Sequence, residues 1–334
     1  MTAWLLGIAG AVILGAAGNL AYDLAKHQTL RLPRFVRARR ELPAAARAFD
    51  PVALGMHPLV TWSRRRRLRE GNLRTVFVGR RSGPHLLSRS DWHAKVAAER
   101  RKGTAGSTAY LVGLRIDHGE HPAAHEAVMT IAESDYAECV ATMEVAGRSP
   151  GELTTKLWDG LDGFLTVVPP TLLFASVAVL ADSGRLLCLR RSIGVRTAPG
   201  TWTLGINETM KYEAEPGREE DLFGLVRRGL REELGLEPSE YGEVIVTWLG
   251  WSSAAAGFLA VAIVRARLSE AEIERRRGEC HSVYEHDGIA WLPVTRRSIA
   301  NVVLGGPSPD RVHPWITELS PLVAGEVWRF RHVV

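Results

Sequence analysis

The chain has 334 residues, 46% of them apolar, so a sizeable core can be buried and wholesale disorder is excluded. Cys139, Cys188 and Cys280 lie far apart with no CxxC pair, which excludes a disulfide scaffold and a cysteine zinc site and fits a reducing compartment. The net charge of +5 hides an asymmetry: between Lys26 and Lys102 there are twenty Lys and Arg against five Asp and Glu, and the remainder is acidic. Two halves of opposite sign exclude a uniformly basic nucleic-acid-binding chain.

Ala3 to Tyr22 reads AWLLGIAGAVILGAAGNLAY, without a charge. Twenty helical residues rise about 30 Å, enough to cross the hydrocarbon core. Trp4 and Tyr22 flank the run, where amphipathic rings prefer the headgroup level. The rival, a cleaved signal peptide, would want a basic region before the apolar run, and only Met1 and Thr2 precede it. Basic residues follow instead, from Lys26 to Arg40, which predicts a single-pass anchor of the inner membrane with the N-terminus outside and the body cytoplasmic. Gly7, Ala11 and Gly15 recur every fourth residue with Asn19 next on the stripe, a surface through which two such helices would form a homo-oligomer.

The basic stretches RLPRFVRARR and WSRRRRLREGNLR form a positive field beside the membrane, expected to meet anionic membrane lipid or a polyanionic nucleotide. Aromatic residues are not interleaved with this charge, so no sequence-specific nucleic-acid recognition is expected. Thr75 to Val78 and Ala109 to Ile116 read as strands around the turn-prone KGTAGST. His118, His121 and His125 come close to metal spacing, but Pro122 opens rather than continues a helix and no carboxylate pattern completes a site. Pro169-Pro170, after the Gly-rich WDGLDGF, marks a boundary. The expected division is 1–24 anchor, 25–165 basic α/β middle region and 166–334 C-terminal domain.

Beyond that boundary, two β-branched runs flank Asp182-Ser183-Gly184, a hairpin signal. GTWTL comes next, then a polar stretch, GINETMKYEAEPGREE, read as loop, and a helix from about Glu219 to Leu234. Strand regions EVIVTWLG and GFLAVAIVRARL, a charged helix from Ser269 and IAWLPV complete the order. It predicts an α/β (α+β) fold, a mixed sheet flanked by helices. On the helix, Leu222, Leu225, Val226 and Leu230 make the buried stripe, and Glu233 leans toward it, where a carboxylate needs a cation or an arginine. Clustered carboxylates suit Mg²⁺, a hard cation that takes oxygen ligands and bridges phosphate. The plainer alternative is a solvated helix end with pairs such as Arg228 and Glu232.

Glu220, seven residues, then Arg228-Gly229-Leu230-Arg231-Glu232-Glu233-Leu234-Gly235-Leu236 resembles the box of the Nudix hydrolases, G-x5-E-x7-R-E-U-x-E-E-x-G-U with U aliphatic. LCLRR and Trp202-Thr203-Leu204-Gly205 resemble that family's preceding strand and turn, and the resemblance spans roughly 170–334. It implies Glu232 and Glu233 as ligands of Mg²⁺ or Mn²⁺, Glu233 also as catalytic, Arg228 as the residue orienting the catalytic loop, and Glu220 as a loop carboxylate. Three departures stand out. Ala214 occupies the leading Gly, the loop from Trp202 to Glu220 is longer than usual, and Gly229 replaces the first Glu of the R-E-U-x-E-E element. Glu208 or Glu219 would be candidates to replace it, and Glu279 or Glu285 to add a further carboxylate.

The whole chain, membrane helix, middle region and Nudix-like domain, resembles the transmembrane–Nudix effectors of the cyclic-nucleotide-triggered anti-phage systems called CBASS. That resemblance implies a nucleotide ligand, with a cyclic oligonucleotide messenger among the possibilities, and hydrolysis of a nucleoside diphosphate derivative. A housekeeping membrane-tethered Nudix hydrolase, or a degenerate nucleotide-binding protein acting by oligomerisation, are the alternatives.

Overall fold

The computed structural model describes residues 56–332 apart from 63–66, 82–88, 104–105, 118–125, 147–156, 158–160, 216–217 and 317. The expected anchor at 3–22, the arginines of 31–40 and the three histidines of 118–125 lie outside the described residues. Among the described residues no helix is long and apolar enough to cross a membrane.

Among the described residues the first strand is β1 (Met56–Thr61), and an upstream unit follows it. That unit comprises β2 (Leu73–Val78), α1 (Arg89–Arg101), β3 (Ser107–Asp117), β4 (Glu126–Asp135) and α2 (Tyr136–Ala146). Its sheet runs in the order β2-β4-β3, with β2 parallel and β3 antiparallel to β4. A short α3 (Leu161–Val167) leads to β5 (Leu173–Leu180), β6 (Arg185–Arg191), β7 (Trp202–Leu204) and β8 (Ile206–Thr209). Then come the small pair β9 (Glu213–Glu215) and β10 (Arg218–Glu219), α4 (Leu222–Leu234), β11 (Ile245–Ser252) and β12 (Gly257–Arg265). The chain ends with α5 (Glu270–Arg277), β13 (His286–Pro293), α6 (Arg296–Val303) and α7 (Leu319–Phe330).

An eight-stranded mixed sheet organises the molecule, in the order β1-β11-β12-β5-β6-β13, with β7 on β6 and β8 on β5. Its centre is the parallel pair β12 and β5, in unbroken register from Phe258 opposite Leu173 to Arg265 opposite Leu180. Both strands are apolar without alternation because helices cover both of their faces. Val177 and Val179 face the helix α4, whose Leu222, Leu225, Val226 and Leu230 are almost fully buried. Ala178 and Leu180 face the opposite layer with Leu322, Val323, Val327 and Phe330 of α7. The mixed sheet and flanking helices agree with the fold expected from the sequence.

The local signals hold where chemistry is strong. Asp182 to Gly184 turn β5 into β6, with Gly184 N donating to Ala181 O at 2.9 Å. Ser269 caps α5 by accepting from Glu272 N. The helix expected from Glu219 starts at Leu222, because Asp221 takes the cap position and its side chain accepts from Gly224 N. The polar stretch read as loop is corrected more substantially: it contains β8 and the β9–β10 pair. Polar side chains conceal β8, but Ile206 is fully buried and β5 supplies backbone partners from Phe174 opposite Thr209 to Val177 opposite Ile206. The chain enters β8 through Gly205, at φ +75°, where a Cβ would sit 1.9 Å from Val177 O. Only glycine permits that crossing.

Candidate active site

Arg228, in the middle of α4, is 5% exposed and is the hub of the site. Its Nε and Nη2 donate to the two carboxylate oxygens of Glu220 at 2.6 and 3.0 Å, a two-pronged pair. Nη2 also donates to Thr209 O at 2.7 Å, Nη1 lies 3.0 Å from Glu208 Oε1, and Nη1 reaches Glu232 Oε2 at 3.3 Å. Lys211 N donates to Glu220 Oε2 at 2.9 Å. The arginine therefore ties the end of β8, the segment after it and the start of α4 into one piece. Neighbouring carboxylates outweigh its burial and raise its pKa further, so it is always charged. Glu220, almost fully buried, is spent on this bond and not directed at a ligand.

Gly229 is explained by what lies across from it. A Cβ there would be 3.1 Å from Ile206 Cδ1 and 3.2 Å from Glu208 Cβ. The missing side chain lets β8 approach α4 closely, and the space is filled by the carboxylate arm of Glu208. Burial raises the Glu208 pKa above its ordinary value, opposed by Arg228. Of the two replacements considered from sequence, Glu208 occupies this place, whereas Glu219 lies exposed on β10.

Glu233 is 4% exposed, and its Oε2 has no hydrogen-bond partner. His286 Nδ1 lies 3.5 Å from that oxygen without making a hydrogen bond. The imidazole is no counter-ion, since burial, with Arg191 and Arg277 adding to it, pushes its pKa down to about 3. Burial, then the charges of Glu208 and Glu285, raise Glu233 well above the carboxylate range, with Arg191 and Arg277 opposing more weakly. Arg277 Nη2 donates to His286 O at 2.5 Å, fixing the start of β13. His286, Arg277 and Arg191 escape motif reading because they come from three separate elements.

Glu232, by contrast, turns outward: its side chain is 42% exposed and pairs with Arg228 and, at 3.9 Å, with Lys211 Nζ. Adjacent helical residues diverge by 100°, and the structure does not bring Glu232 and Glu233 to one point. Glu279 is likewise exposed and bound to Arg275 at 2.7 Å, leaving Glu285 as the further carboxylate near Glu233. The donor set of Glu208, Glu233 and Glu285 suits a hard divalent cation in kind, because a buried carboxylate oxygen without a partner faces two more negative groups. Among the described residues no three such side chains are drawn together closely enough to hold an ion as they stand.

Glu208 and Glu285 open onto a cleft of about 500 Å³. Asn207, Thr209 and Arg191 line it as well, together with the apolar Leu172, Phe174, Ile316 and Leu319. A cleft of this size and mixed lining accepts a small molecule with both polar and apolar parts.

The chain matches no family model. It likewise matches none of the curated proteins. Solved structures similar to it include Nudix proteins at low identity and partial coverage. The protein DR0079 from Deinococcus radiodurans is 16% identical, over 46% of this chain and 81% of that one, at a TM-score of 0.33. The Nudix domain of NrtR from Shewanella oneidensis, in complex with ADP-ribose, is 16% identical over 47% and 86%, at 0.29. A MutT protein from Methanosarcina mazei Go1 is 20% identical over 37% and 78%, at 0.23. Agreement at this level adds no residue roles to those the site itself supplies.

Proposed function

We propose that this protein binds a nucleoside diphosphate derivative in the cleft and hydrolyses its diphosphate linkage with Mg²⁺ or Mn²⁺. One observation carries the reading: Glu233 Oε2, buried and without a hydrogen-bond partner, beside the charges of Glu208 and Glu285. Glu208 and Glu233 would hold the cation, with Glu285 behind them and Glu232 at the rim. A bound divalent cation would neutralise charge on the phosphates and lower the pKa of attacking water. Arg228 keeps Glu208 in place, and its bonds to Glu220 and Thr209 O prevent that segment from shifting. A carboxylate of the site takes the water proton; the oxygen joins phosphorus as the bridging P–O bond breaks, and the two products are phosphate monoesters or a phosphate.

Incubating the full chain with Mg²⁺ and nucleoside diphosphate derivatives, including ADP-ribose and dinucleoside polyphosphates, tests the reading. Release of a nucleoside monophosphate from at least one is expected. Cation-dependent binding without any release would favour the purely binding alternative.

The membrane and defence setting is a proposal resting on residues 3–22, the basic stretch beside them and the resemblance of the whole architecture. The full-length chain should then sediment with inner membrane and resist alkaline extraction. Recovery in the soluble fraction would contradict the anchor.

A further inference from the structure

The mixed sheet does not form the cleft alone. Tyr136, the first residue of α2, and Met143, seven positions later, also line it. Two turns of helix return a side chain to the same face, so both residues present one surface of α2 to the cleft. Met143 is partly buried and packs at the edge of the main core. Burial raises the Tyr136 phenol above its ordinary value. Its hydroxyl makes no hydrogen bond among the described residues.

The upstream unit is fastened to the sheet on two sides of this cleft. Next to Glu208, Thr108 Oγ1 and Ala109 N of β3 both donate to Met210 O, at 3.0 and 3.2 Å. In the loop between β6 and β7, Arg196 Nη1 donates to Glu99 Oε2 of α1 at 2.8 Å, and Nη2 donates to Glu144 Oε1 of α2 at 3.3 Å. Glu99 is fully buried, so this contact is a seated arginine and not a passing surface pair.

We propose that the upstream unit forms one wall of the ligand site, with Tyr136 and Met143 covering the planar base of a nucleoside diphosphate ligand whose phosphates lie toward Glu208 and Glu285. The inference rests on the nucleotide reading above and adds a recognition surface to it. Leu172 and Phe174 line the same cleft and are apolar partners for the base. An aromatic ring and a thioether are suited to a flat heterocycle, the one adding stacking area and the other adapting to its outline. A ringless diphosphate has no flat face to lay on this wall, and a nucleoside diphosphate has one.

Calorimetric titration of the full chain with ADP and, separately, with inorganic pyrophosphate, both with Mg²⁺, tests this. Tyr136→Ala and Met143→Trp should each weaken ADP by about tenfold and change pyrophosphate by less than about twofold, in the range by which an altered apolar pocket discriminates. Arg196→Ala, at a half-exposed position outside the cleft, should weaken ADP in the same selective manner by loosening the wall. Thermal unfolding of each variant identifies any that fail to fold, and Arg196→Ala serves if a cleft variant does. Equal losses for both ligands, or none for either, would overturn the wall. If Glu208→Gln weakens both ligands while the wall variants change neither, the wall is wrong and the nucleotide reading stands. If the native chain binds neither ligand, the nucleotide reading fails and the wall with it.

Discussion

A methyl group at position 229 would press against Ile206 and Glu208, and this reverses an ordinary expectation. Within an exposed helix Gly→Ala gains about 1 kcal/mol. Here Gly229→Ala should give no gain, and urea denaturation that found the full increment would show that β8 yields freely. Gly229→Glu should not raise hydrolysis, because Glu208 already fills the space the new side chain needs. Arg228 offers a second test. Arg228→Ala strands the buried Glu220 carboxylate and should cost about 3–5 kcal/mol, while adding Glu220→Ala should recover part of the loss. Additive losses in that double-mutant cycle would mean the two side chains act independently. That position 229 carries no side chain was legible in the sequence, but what packs against it was not. Glu208 and Glu219 were equal candidates until the approach of β8 to α4, a contact between elements with no local pattern, separated them.

Among the elements, α4, β5 and β12 were legible because each has a strong hydrophobic period or a continuous apolar run. β8 was not, since three of its four side chains are polar or hydroxylated and its pairing with β5 supplies the strand. The C-terminal helix α7 carries a different signal, a buried Glu326 whose pKa is pushed up to about 7 by burial, with Arg329 opposing. A carboxyl whose folded pKa exceeds its unfolded one binds more protons when folded, so stability is fully present below about pH 4.5 and falls as pH rises through about 7. The difference amounts to about 3 kcal/mol between pH 4 and 8. Glu326→Gln should flatten this component of a denaturation series and leave the variant more stable than the native chain at pH 8. An unchanged pH slope would show that Arg329 keeps the carboxylate ionised throughout.

At the scale of the whole molecule, the mixed sheet and the upstream unit line one cleft, and the charges of Glu208 and Glu285 in its wall oppose that of the buried Glu233 on α4. Glu233→Gln should therefore raise thermal stability without divalent cation, and should abolish the rise in Tm that Mg²⁺ gives the native chain. A Glu233→Gln protein that is less stable without cation would mean that the carboxylate has a protein partner. The most direct test of the central claim measures nucleoside monophosphate release from a nucleoside diphosphate derivative by the full chain, with and without Mg²⁺, beside Glu208→Gln. Release that requires Mg²⁺ and falls roughly 100-fold or more in the variant is the predicted result. Release that survives Glu208→Gln undiminished, or no release from any member of the series, would contradict it.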